Sequence, residues 1–228
     1  MEWYCSGSRI KAIVGHYGSG KTEIALNMAM RLREYFPETA LADMDIVNPF
    51  FRSAEQDQLL LEHGVEPIHS ALALTAADIP ALPPELLSIF ARPQLHCVLD
   101  IGGDDAGAAV LGAYKPQLDA CGADIYYVVN PFRPRSSTKE QVLEMLRKIR
   151  LRSRCEVAGF ILNANLGSRT TVQDILYGRS FLEEIASEAS LPILAESGLP
   201  ALLGQIDEKY PHFPIRRCLV PEWMESEE

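Results

Sequence analysis

Apolar runs of strand length alternate along the chain with longer segments of helical period. Residues 9–14 (RIKAIV), 39–43 (TALAD), 95–101 (LHCVLDI), 124–130 (DIYYVVN), 157–163 (VAGFILN) and 191–195 (LPILA) read as strands. Several are continuously apolar, the mark of strands covered on both faces. Between them, 21–35 predicts a helix whose Ile24, Met28 and Leu32 face a sheet, with Glu23, Asn27 and Arg31 on a polar stripe. A second helix is predicted over 138–150, with Val142, Met145 and Ile149 inward and Glu144–Lys148 paired outside, and a third over 171–187. The region 64–94 reads as a short strand near 65–68, a loop, and a helix starting after Pro83–Pro84. This alternation predicts an α/β fold: a doubly wound, mainly parallel sheet with helices on both faces and right-handed crossovers. The expected organisation is a single domain over 1–228, with a core at about 9–205 and a C-terminal tail over 206–228.

Composition supports a packed core. The 228 residues are 47% hydrophobic and 23% charged. A net charge of -10 disfavours the basic footprint of nucleic-acid or anionic-membrane binding, and no nucleic-acid motif is present. No apolar stretch approaches membrane-spanning length, no signal-peptide core precedes the first strand, and the acidic tail (EWMESEE) is not a basic surface helix. The expectation is a cytoplasmic protein without a membrane anchor. Cys5, Cys97, Cys121, Cys155 and Cys218 are scattered without a C-x-x-C pair. That pattern fits free thiols in a reducing compartment. An iron–sulfur cluster shared between two subunits, needing two cysteines from each, is the minor alternative.

The strongest motif is Gly15-His16-Tyr17-Gly18-Ser19-Gly20-Lys21-Thr22, a full G-x-x-x-x-G-K-[ST] match between an apolar strand and a helix. The chemistry requires that order. Glycines free the backbone to bend, and successive N–H groups and a helix N-terminus then surround a phosphate chain. Lys21 is expected on the β- and γ-phosphates and the Thr22 hydroxyl on Mg²⁺. Magnesium also needs one or two carboxylates, which an open α/β sheet supplies from strand ends beside the loop. Asp43 and Asp45 end the second strand, and Asp100, followed by Ile101-Gly102-Gly103, ends the run LHCVLD. Asp100 fits the Walker B role; helix capping is the alternative for these acids and the favoured job of Asp104 and Asp105.

Together these segments resemble the MinD/ParA-type ATPases, in the P-loop class that also holds nitrogenase iron protein, dethiobiotin synthetase and metal-insertion GTPases. GHYGSGKT is similar to the P-loop, LADMDIVNPFFRS to the D-x-D strand and switch, and VLDIGG to the Walker B switch. YYVVNPFRPRSSTKEQVLEML resembles the strand–loop–helix that follows, GFILNANLG the strand ending in a base-reading Asn, and LPILAESGLP the loop that closes over the base. The resemblance spans about 9–205 and runs nearest to a bacterial branch marked by GHxGSGKTE, DxDIVNPxFRSxE and DxGGDDxG. It implies that Asp45 orients the attacking water, Asp43 supports Mg²⁺ and Asn163 bonds the adenine edge. No N-K-x-D guanine reader is present, which favours ATP. The chain departs from the pattern at His16, where the MinD/ParA type has its signature lysine; an imidazole does not reproduce a permanent ammonium. Arg52, in NPFFRS, is the rival cation.

The favoured reading is a Mg-ATP-driven switch acting on a protein partner, with slow or partner-stimulated hydrolysis and a homodimer among the compatible assemblies. Two others stand beside it. One is an ATP-dependent small-molecule synthetase or kinase resembling dethiobiotin synthetase, with Asn48, Arg52 and His69 near its substrate. The other is a nucleotide-binding module with little hydrolysis.

Overall fold

In the computed structural model the described residues are 2–44, 54–69, 83–103 and 105–219. They form a sheet of eight parallel strands in the order β3-β2-β4-β1-β5-β6-β7-β8. The strands are β1 (Ile10–Val14), β2 (Thr39–Met44), β3 (Glu66–His69), β4 (His96–Ile101), β5 (Asp124–Val129), β6 (Gly159–Leu162), β7 (Ile193–Gly198) and β8 (His212–Pro214). The helices are α1 (Lys21–Tyr35), α2 (Ala54–Glu62), α3 (Pro84–Ala91), α4 (Asp105–Ala113), α5 (Lys115–Cys121), α6 (Lys139–Ser153), α7 (Val172–Ala189) and α8 (Pro200–Leu203). The doubly wound parallel sheet is therefore present. Strand order reverses at β1, which lies between β4 and β5, and such a reversal opens a crevice at the strands' carboxyl ends.

Each face has its own apolar layer, as strands without a solvent side require. On one face Ile24, Met28 and Leu32 of α1 pack on Ile13, Leu41, Val98 and Val128. On the other, Val142, Met145 and Ile149 of α6 and Ile175, Leu182 and Ile185 of α7 cover Ala12, Leu99 and Tyr127. Helix α1 has the bounds its periodicity predicts. Helices α6 and α7 begin at capping boxes: Gln141 N–H donates to Thr138 Oγ1 (3.3 Å) and Asp174 N–H to Thr171 Oγ1 (3.3 Å). Helix α1 has no side-chain cap; it starts after Gly20, which leaves its first N–H groups to the loop side.

Helices α2, α4, α5 and α8 are not predicted by the sequence pattern, and two assigned segments differ from expectation. The strand predicted at 191–195 runs over Ile193–Gly198 instead, because Leu191 and Pro192 belong to the turn, the Leu191 N–H donating to Ala186 and the Pro192 carbonyl accepting from Phe160. The tail is also more than a tail. Residues 212–214 pair in parallel with β7, Phe213 is fully buried, and its ring meets Trp3 and Tyr4 edge-on at 6.1 and 5.5 Å. Beyond β8 the chain lies along the polar stripe of α1. Asn27 Nδ2 donates to the Arg216 carbonyl (2.9 Å), and Asn27 Oδ1 accepts from the Arg216 N–H (2.8 Å). Arg31 donates to the Pro214 carbonyl, and Glu23 accepts from the Cys218 N–H. The stripe that reads as a wet surface is a seat for the C-terminal segment.

β7 is secured from the far side by a buried ion pair. Arg179 of α7 donates from Nε and Nη2 to the two oxygens of Glu196, each at 2.7 Å, and also reaches Asp207. All five cysteines are free, and burial raises the thiols, Cys97 to about 12. Among the described residues no helix is long and apolar enough to cross a membrane.

Arg179→Leu is expected to lower stability by roughly 3–5 kcal/mol, because Glu196 is left charged and enclosed. Asn27→Ala strands one backbone N–H and one carbonyl of the docked segment, for about 1–3 kcal/mol. Urea unfolding midpoints measure both, and unchanged midpoints would refute these two roles.

Candidate functional site

The loop between β1 and α1 is closed on itself. The His16 carbonyl accepts from Ser19 N–H (3.1 Å) and from Lys21 Nζ (3.2 Å), so the lysine arches back over the turn it follows. Ser19 and Lys21 are buried, whereas Tyr17 and Gly18 form the exposed tip. The turn is braced from beneath. Asn163, only 1% exposed at the end of β6, donates from Nδ2 to the Ser19 carbonyl (2.7 Å) and accepts at Oδ1 from Ser197 Oγ (3.1 Å). Gly20 makes the brace fit. Its φ is 88°, and a Cβ there would lie 2.1 Å from Asn163 Nδ2. One carbonyl is thereby held outward, away from the space an anion needs.

The acids follow from register. Asp43 of β2 is level with Asp100 of β4, and Asp100 is level with Ile13 of β1, one residue before the strand ends. Side chains alternate along strands, so Asp43 shares a face with Leu41, and Asp100 with Val98. Leu41, Val98 and Ile13 all pack under α1. Both carboxylates therefore point to the face whose helix opens with Lys21 and Thr22. Asp100 is 5% exposed and Asp43 is half-buried. Just beyond, Gly103 touches the loop: a Cβ on it would lie 2.6 Å from the Tyr17 nitrogen and 2.7 Å from Lys21 Nζ. The backbone after Asp100 thus comes within contact of the phosphate-loop lysine, with no side chain between.

These features fit a magnesium–nucleotide complex. An uncapped helix start, a lysine folded over backbone amides, two level carboxylates and a hydroxyl residue are the hard-oxygen and N–H donor set that such a ligand requires. Lys21, Thr22, Asp43 and Asp100 are brought together by the fold. Asp45, Asn48, Arg52 and Asp104 lie outside the described residues. Asn163, which the resemblance assigns to the adenine edge, has its carboxamide on the Ser19 carbonyl and Ser197 Oγ and supports the loop. His69 is remote in role: its Nε2 pairs with Asp57 (2.8 Å) at the β3 edge.

Two parts of the site escaped sequence reasoning. Arg133, from the turn after β5, runs across the loop tip, its Cδ 3.7 Å from where a Gly18 Cβ would stand. That turn is rigid: Asn130 accepts at its carbonyl from Ser136 Oγ (2.6 Å) and at Oδ1 from Phe132 N–H (3.1 Å). Two arginines in PFRPRSS, within so acidic a chain, were the available signal. His16 lines a separate cleft of about 150 Å³ with Arg135, Gln141 and Lys148. On the opposite side, next to Asn163, a small cavity of about 20 Å³ is bounded by Asn165, Thr170, Leu199, Ile215 and Arg217.

No protein-family model matches the chain, and no curated protein gives a significant match. Solved structures do. Cell division protein FtsY from Thermotoga maritima shares 18% identity over 84% of this chain and 62% of its own, with a TM-score of 0.57. Chloroplast FtsY from Physcomitrella patens shares 19% over 82% and 57%, at 0.54. The signal recognition particle 54 kDa protein from Aeropyrum pernix K1, in complex with GDP, shares 16% over 85% and 42%, at 0.53. The chain spans about two-fifths to three-fifths of the length of these proteins. At such identities the likeness establishes the fold, a doubly wound α/β fold of P-loop type.

Gly20→Ala is expected to cost more than Gly122→Ala. Both have positive φ, but the Gly122 Cβ meets nothing within 4 Å. Backbone strain alone costs about 1–3 kcal/mol, roughly 2–4 °C of Tm per kcal/mol in a chain of this size. Equal Tm losses in thermal melts would mean that Asn163 does not brace the loop.

Proposed function

We propose that the protein is a magnesium-dependent nucleoside-triphosphate switch whose slow hydrolysis is set by a protein partner. The observation that carries this reading is the level pair Asp43 and Asp100, facing the helix that begins at Lys21–Thr22, with Gly103 against the lysine. Within the fold, the motifs GHYGSGKT, LADMDIVNPFFRS and VLDIGG support the MinD/ParA type. The GDP-bound 54 kDa protein supports a guanine nucleotide, against the adenine that the missing N-K-x-D favours. We take GTP as the main reading and ATP as the second.

In this reading the loop amides and Lys21 hold the phosphate chain, while Thr22 and Asp100, supported by Asp43, hold magnesium. The metal supplies charge neutralisation at the β- and γ-oxygens. Arg133 lies where a guanidinium in cis adds positive charge over the loop tip, a place the missing signature lysine leaves to other residues. The backbone at Gly102–Gly103 shifts when the terminal phosphate arrives or leaves, because that backbone contacts Lys21 directly. Through it the bound state is reported to the segment after Asp100. Asp45 keeps the water-orienting role that the resemblance gives it. The partner recognises the surface that these segments form; nothing on the chain marks it as nucleic acid.

Lys21→Ala is expected to weaken magnesium-dependent triphosphate binding at least about a hundredfold, a loss of roughly 2.7 kcal/mol. Chelation of magnesium should weaken the wild-type protein but barely change Asp100→Asn. Equilibrium titration with fluorescent GTP and ATP analogues measures both. Binding that ignores Lys21 and magnesium alike would end this interpretation.

A further inference from the structure

Helices α4 and α6 lie on the sheet face opposite α1, and their C-terminal halves enclose an open groove of about 760 Å³. Its floor is made of small residues, Ala109, Gly112 and Ala113 of α4. The two helices are locked there. A Cβ at Gly112 would lie 2.5 Å from the Arg152 carbonyl, and Arg154 Nη2 donates to the Gly112 carbonyl (2.9 Å). The opposite wall presents Lys148, Leu151 and Arg152 of α6. Leu151 is 77% exposed, more than any other large apolar side chain among the described residues. A lone exposed leucine means little, but this one shares its groove with two exposed alanines and a rim of cations.

Charge decides what fits. From Arg147 to Arg154 the chain carries Arg147, Lys148, Arg150, Arg152 and Arg154, in a protein of net charge -10. Lys148 pairs with Glu144 (3.2 Å) and Arg150 with Glu156 (3.3 Å) at the surface, where such pairs are weak and give way to a better-placed carboxylate. A membrane helix needs a continuous apolar face, and that of α6, with Val142, Met145 and Ile149, is buried on the sheet. A nucleic-acid backbone rewards a broad run of cations and has no use for Leu151. A protein segment with carboxylates around an apolar residue matches both the rim and the floor.

We propose that the α4–α6 groove is where the partner docks, and that the partner enters it with an acidic segment whose apolar residue rests on Leu151 and the α4 alanines. The regulatory meaning rests on the nucleotide-switch reading above; the docking itself does not. Helix α4 starts at Asp105, just after Gly102–Gly103, and packs so tightly that a Cβ at Gly107 would overlap the Gly102 carbonyl. A Cβ at Gly103 would in turn lie 2.7 Å from Lys21 Nζ. One short run of backbone thus joins the groove floor to the phosphate-loop lysine. Lys148 also borders the cleft that His16 lines, so the docked segment adjoins the phosphate loop from a second side.

The experiment is fluorescence anisotropy on the full chain with a labelled glutamate–leucine peptide and its glutamine–leucine counterpart, with thermal melts as the folding control. The acidic peptide should bind, lose affinity as salt rises, and exceed the neutral one by about tenfold or more. Leu151→Glu and Arg152→Glu should each weaken it about tenfold or more, whereas Arg169→Glu, the same charge change outside the groove, should stay within about twofold. Magnesium with a GTP analogue should shift the peptide affinity by about fivefold or more. No binding of the acidic peptide, equal loss with Arg169→Glu, or no loss with Leu151→Glu and Arg152→Glu overturns the docking surface. So does preferred binding of phosphatidylserine vesicles or single-stranded DNA that those two variants abolish. Groove-dependent binding that ignores nucleotide supports the docking surface and overturns its link to the switch. If no triphosphate binds at all, the switch reading falls, and the peptide result still decides the groove.

Discussion

A loop can hold an anion with its backbone only if its N–H groups point inward and stay there without side chains filling the space. In this protein that constraint is met from underneath. Asn163 draws the Ser19 carbonyl outward, and Gly20 gives the backbone the torsion and clearance for that bond. Lys21 then closes the turn from above through the His16 carbonyl. Buried polar groups without partners cost several kcal/mol, so a fully engaged carboxamide is both a brace and a stability requirement. Ser197 extends the brace to β7, and the Arg179–Glu196 pair anchors β7 to α7. The phosphate loop, chemically the simplest part of the site, is thus supported from two strands away.

The two faces of the sheet divide the labour. The face under α1 collects every group proposed to meet phosphate or metal, because register puts Asp43 and Asp100 beside Ile13 and alternation turns them the same way. The other face is almost wholly apolar and carries α6 and α7. Helices α6 and α7 are capped by their own threonines, and α1 is not. An uncapped N-terminus is tolerable only where another group satisfies its donors, and at the start of α1, in the sheet's crevice, a phosphate would do so.

Much of this was legible in the chain. Helix α1 shows its bounds because Ile24, Met28 and Leu32 repeat at helical spacing between two strands. Asp43 and Asp100 announce themselves by ending apolar runs. Helix α4 was not legible: DAGAAVLGA has no amphipathic stripe, and its small residues serve close packing, a Cβ at Gly112 reaching within 2.5 Å of the Arg152 carbonyl. β8 was hidden because three residues bounded by Pro211 and Pro214 are too few to show alternation. The brace formed by Asn163 could be placed but not described, since its partners Ser19 and Ser197 come from distant segments. Arg133 carries no periodic signal; only the fold lays it across Gly18.

The polar stripe of α1 joins these strands of argument. A wet stripe on a helix would cost nothing to leave exposed, yet Glu23, Asn27 and Arg31 all bond the backbone of 214–218. Such bonds contribute little net stability each, so they hold the segment firmly only while all persist. That makes the segment easier to release than the sheet it extends, and one of its holds, Glu23, is next to the residue proposed to meet magnesium. A ligand that orders Thr22 would gain affinity from a docked segment and, by the reciprocity of linkage, favour docking in return. The helix proposed to open the phosphate site is then also the helix on which the C-terminal segment is docked.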